Sequence, residues 1–115
     1  MLVACATASA QDAKSAPKVT TSRTSDATIG KRIYSTHGCY ACHGGEGQGS
    51  VLSGPRIGQD PMPFAAFVQY LRQPSGQMPP YTIKVMSDSD LANIYAFLKS
   101  LPKPVPPEQI RLLSQ

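Results

Sequence analysis

The run Cys39-Tyr40-Ala41-Cys42-His43 constrains this chain more than any other feature. Two thiols separated by two residues and followed at once by a histidine form the C-x-x-C-H pattern that attaches c-type haem. Thiols at that spacing can add to the two vinyl groups on one edge of a porphyrin, and the adjacent imidazole can bind the iron from beneath the ring. A C-x-x-C pair can also be a redox disulfide, but no βαβ pattern surrounds this one. A zinc site would need two further ligands at metal spacing, and only His37 remains. The pattern predicts one covalently bound haem c, with Cys39 and Cys42 as the tethers and His43 as an iron ligand.

The rest of the composition agrees with a chain that relies on such a group. At 115 residues the protein has room for one small domain. It has no Trp, and five Tyr and three Phe are its only aromatic residues. A core that thin commonly leans on a metal or cofactor for stability. Pro and Gly cluster at residues 44–61 and 74–86, so much of the chain is loop. Long loops in a compact domain imply something packed beneath them.

Three helical segments stand out between the loops. The first runs from about Ala27 into the Cys39 region, with Asp26 as N-cap and Ile29, Ile33 and Tyr34 on one face. The second spans Pro63 to about Gln73, with Phe64, Phe67, Val68 and Leu71 at i, i+3, i+4, i+7. The third begins at Ser87 with Asp90 completing a capping-box pattern, repeats the spacing at Leu91, Ile94, Tyr95 and Leu98, and stops before Pro102. No alternating strand pattern occurs. The expectation is an all-α fold of three to five short helices around the haem, with long Gly/Pro-rich loops.

Residues 1–10 read as the remnant of an export signal, because a short apolar stretch ends in the cleavage-like Ala8-Ser9-Ala10. Leu2-Val3-Ala4-Cys5 also matches a lipidation box, a reading ranked below cleavage after Ala10. Residues 11–25 read as a flexible tail, 26–101 as the folded unit and 102–115 as a Pro-rich extension. Both readings of the N-terminus export the protein, so a periplasmic location is expected. No run reaches the roughly 20 apolar residues of a spanning helix. The net charge of +4 is spread over scattered basic residues without a nucleic-acid motif, so nucleic acid is not an expected partner.

An iron held by His43 needs a sixth ligand or an open site. The candidates are Met62, Met78, Met86 and His37. His37 lies on the segment that covers the proximal side. Met62 opens the second helix, and Met86 immediately precedes the third. Met78 stands in Gly76-Gln77-Met78-Pro79-Pro80-Tyr81, a stiff loop 35 residues after His43, with ample chain to wrap a haem edge. A thioether favours reduced iron and raises the potential, so Met78 is the preferred ligand.

Three blocks carry a resemblance to class I cytochromes c, the small bacterial single-haem group: residues 30–44 through the C-x-x-C-H motif, Met78-Pro79-Pro80-Tyr81, and residues 91–98. The resemblance implies His43 and Met78 as axial ligands. It implies that the Pro55 carbonyl accepts from the His43 Nδ1–H and that Arg56 or Arg72 pairs with a haem propionate. It places Tyr81 at the haem crevice and a close crossing of the first and last helices at Gly30 with Tyr34 and Tyr95. It implies an electron carrier rather than an enzyme. The expected partners are redox proteins (a dehydrogenase, an oxidase or another cytochrome), met either by diffusion or as the cytochrome subunit of a dehydrogenase complex. The contrasting reading is an open-site haem protein, a peroxidase or gas sensor, if Met78 does not ligate; no distal His or Arg stands out for peroxide chemistry.

Overall fold

A computed structural model describes residues 24–113. The expected export remnant, most of the N-terminal tail and Cys5 lie outside the described residues. Within them the fold is all-α: α1 (Ala27–Thr36), α2 (Tyr40–His43), α3 (Phe64–Arg72) and α4 (Asp88–Ser100), with no strand and one isolated bridge between Ser50 and Gly54.

Helices α1, α3 and α4 each begin where a polar or proline residue stops the preceding loop. Asp26 caps α1 by accepting from the Thr28 and Ile29 N–H groups. Pro63 precedes α3, and Pro74 follows its last residues closely. Ser87 and Asp90 form a full capping box on α4, each side chain accepting from the other residue's backbone N–H. The first helix differs from its expected extent. It ends at Thr36, Gly38 turns the chain at φ +74°, and α2 starts anew as one turn. Glycine enters that left-handed region without the steric penalty of a Cβ, so the break belongs to Gly38.

The frame is the crossing of α1 over α4. Gly30 lies against the α4 backbone, where a Cβ would overlap the Asn93 carbonyl. The Asn93 side chain accepts from the Asp26 N–H at 2.8 Å and locks the start of α1 to the same place. One turn on, the Tyr34 ring packs on Phe97 at 5.3 Å. The aromatic partner of Tyr34 is therefore Phe97 and not Tyr95. Tyr95 points instead toward α3, with its ring 5.1 Å from Phe64 and 5.3 Å from Phe67. Along a helix, residues two apart face different ways, which is why the two aromatic residues of α4 serve different neighbours. The core is Tyr34, Phe67, Leu71, Met86, Leu91, Ile94, Phe97 and Leu98. Beyond Leu101 the described residues are exposed and contain one 3₁₀ turn, Pro107–Gln109.

Two outcomes are expected. Helix propensity favours Ala over Gly by about 1 kcal/mol, but at Gly30 the obstructing atom is backbone in another helix. Gly30→Ala should therefore destabilise the protein by about 1–3 kcal/mol in denaturant unfolding; a stabilised variant would contradict the crossing. The Ser87 hydroxyl and N–H hold the Asp90 carboxyl below its ordinary 3.8. Its contribution is fully present above that ordinary value and is lost as pH falls through the lowered one. Melting temperature measured below pH 4 should fall less steeply for Asp90→Asn than for the native protein.

Candidate cofactor site

The site begins with the geometry of one helical turn. Cys39 has αR dihedrals and caps α2, so Cys39, Cys42 and His43 follow each other at i, i+3 and i+4. Residues at those spacings share a face, and all three border one cavity of about 690 Å³. That volume lies within the roughly 300–1,000 Å³ of small-molecule and cofactor sites. Phe67 and Leu71 of α3 and Ile94 and Leu98 of α4 supply an apolar wall, and Met78 and Tyr81 border the cavity from the loop after α3.

His43 is 8% exposed. Its Nδ1 lies 2.8 Å from the Pro55 carbonyl. A carbonyl only accepts, so Nδ1 carries the proton, and Nε2 keeps its lone pair for a metal. The loop that brings Pro55 is tied to α2 at two more points and to α1 at one. The Gly49 N–H donates to the His43 carbonyl at 2.7 Å, Ser53 Oγ to the Cys42 carbonyl at 2.8 Å, and Tyr34 Oη to the Gly44 carbonyl at 2.6 Å. Burial, joined by the nearby Cys39, pushes the Tyr34 hydroxyl up to about 12, so it remains a donor at neutral pH. Burial also raises the Cys39 thiol. Tyr81 is raised by burial and then by the two thiols.

The three other candidates for the sixth position separate by location. Met86 is fully buried among core residues and does not reach the cavity. Met62 borders it but is 44% exposed. His37 also borders it, with Nδ1 donating to its own helix at Ile33 and its ring edge-on to Tyr81. Met78 is partly buried and packs on the core cluster. Of the two arginines expected near a propionate, Arg56 borders the cavity, with its guanidinium hydrogen-bonded to Gln59. Arg72 does not border it. Its guanidinium turns to the backbone carbonyls of Tyr81 and Met86 and to Asp88. The expectation for Arg72 is thus corrected: helix α3 aims it away from the cavity, toward the start of α4.

The donor set fits haem c. Two thiols and an imidazole share one helical face, a thioether borders the same space, and the walls are apolar. Among the described residues no group of three or more His, Cys, Asp or Glu is arranged to hold a metal ion directly. No helix of the described residues is long and apolar enough to cross a membrane.

A search of curated proteins returned no match. A family model described as cytochrome c oxidase, cbb3-type, subunit III matches residues 25–98, well over half of the chain and all of the helical frame but the last two residues of α4. The chain therefore belongs to that family and is a small c-type cytochrome, an electron-transfer domain whose cofactor is covalently bound haem c.

Proposed function

We propose that this chain holds one haem through thioethers at Cys39 and Cys42, with His43 and Met78 on the iron, and passes single electrons between periplasmic redox proteins. The observation that carries this reading is that all four side chains border a single apolar cavity. When bound, haem c supplies a one-electron iron couple whose potential follows its axial ligands and surroundings. The protein's own residues supply the rest. The Pro55 carbonyl fixes the tautomer and orientation of His43. A thioether at the sixth position favours the reduced state. Phe67, Leu71, Ile94 and Leu98 keep water from the wall. With both axial positions filled, no bond to iron need form or break, and electrons cross without chemistry on a substrate.

The matched family's description as an oxidase subunit supports a protein that works docked in a complex, delivering electrons onward. A dehydrogenase partner is the other docked arrangement. Co-purification at moderate salt separates both from a free carrier, which would leave alone. The export-signal pattern of residues 1–10 supports the periplasm. The contrasting reading, an open iron for peroxide or gas chemistry, requires that Met78 stay off the metal.

Substituting Met78→Ala should lower the midpoint potential by something on the order of 0.1 V, within the roughly 0.8 V that axial ligands span. It should also let reduced protein bind carbon monoxide at neutral pH, which the native protein should refuse. An unchanged potential would show that another residue ligates. Cys39→Ala with Cys42→Ala should leave the chain largely unfolded by circular dichroism, since binding the cofactor drives folding here much as structural metals do.

A further inference from the structure

A methionine on a loop stays on iron only if the loop is held. Residues 73–81 carry Met78 without helix or strand of their own, and Gly76 turns within them at φ +69°. The far end of the segment is pinned back onto the helix it left. The Tyr81 N–H donates to the Leu71 carbonyl at 2.9 Å, and the Tyr81 carbonyl accepts from Arg72 Nη1 at 2.8 Å. The same nitrogen donates to the carbonyl of buried Met86 at 2.7 Å, and Nη2 pairs with Asp88 at 2.6 Å. One guanidinium thus joins the end of the Met78 loop, the backbone of a core residue and the first turn of α4. Between Met78 and Tyr81 stand only Pro79 and Pro80, whose rings fix φ near −65°. A shift at Tyr81 is therefore carried to Met78 with little slack.

We propose that Arg72 is the positioning residue for the sixth ligand: by clamping the Tyr81 carbonyl to that of Met86, it sets where the Met78 sulfur stands in the cavity. The proposal rests on the assignment of Met78 as the iron ligand. Its chemistry suits arginine. A planar fork reaches several acceptors in fixed directions, whereas a lysine offers a single ammonium centre on a flexible stem. The Arg72 side chain is 20% exposed and that of Asp88 68%. The two carbonyl bonds are thus the protected part of the clamp, and the ion pair is the wet part, where such pairs contribute little.

The test uses haem-loaded protein and three variants: Arg72→Gln, Arg72→Lys and Asp88→Asn. The readouts are the sulfur-to-iron charge-transfer band of the oxidised form, the midpoint potential, and carbon monoxide affinity of the reduced form. Arg72→Gln should lose most of the band, lower the potential, and raise carbon monoxide affinity about tenfold, the equivalent of about 1.4 kcal/mol of lost ligation. Arg72→Lys should recover part of each, and Asp88→Asn should stay near the native values. Should Arg72→Gln fail to retain haem, Arg72→Lys carries the same readouts by itself. A lowered melting temperature with band, potential and carbon monoxide behaviour all native would overturn the proposal and leave Arg72 a stabilising residue only. Native protein that lacks the band and binds carbon monoxide would instead overturn the Met78 assignment, and the proposal with it.

Discussion

The hydrogen bond from His43 Nδ1 to the Pro55 carbonyl is the contact on which the site depends. Helix α2 is one turn long, has no side-chain cap, and ends at Gly44. Alone, such a turn would neither persist nor aim an imidazole. The loop that follows folds back over it and supplies what it lacks: a carbonyl for Nδ1, a hydroxyl for the Cys42 carbonyl and an N–H for the His43 carbonyl. A loop of this length with little structure of its own is uncommon in a small domain unless it serves a site, and here its backbone is spent on positioning one ring.

Two loops of the same kind hang from a helical frame. The α1–α4 crossing at Gly30 brings the attachment segment beside α4. Tyr34 then reaches from the frame to the Gly44 carbonyl, and the Gln59 N–H reaches the Leu98 carbonyl, so the first loop is tied to both helices. The second loop, which carries Met78, is tied to α3 by Tyr81 and through Arg72 to α4. Backbone bonds and side-chain to backbone bonds together fix both. This is how a core of eight buried hydrophobic residues can shape a cavity with few aromatic side chains and no sheet.

Much of this was legible in the residues. C-x-x-C-H names its cofactor because the spacing puts two thiols and an imidazole on one helical face. The Ser87–Asp90 pair marked the start of α4 because capping is local, read within four residues. Local patterns failed where the answer depended on what lies across the fold. The break at Gly38 was hidden, since a glycine inside a helical pattern is often tolerated. Tyr95 and Phe97 both suit an aromatic crossing, and only the rotation of α4 decides that Tyr34 meets Phe97. Arg72 could be placed near a propionate by analogy, but its target, the carbonyls of Tyr81 and Met86, exists only after the second loop has closed. Likewise, Met62 and Met86 stood level in the sequence, and the structure parts them: Met62 borders the cavity half-exposed, and Met86 is buried in the core away from it.

The account stands on a porphyrin joined to this chain by Cys39 and Cys42. The most direct test is the intact mass of the purified protein under denaturing conditions, where anything not covalently attached is lost. The account requires a mass equal to the mature chain plus one haem. A mass equal to the polypeptide alone, or to the polypeptide with two haems, would contradict it.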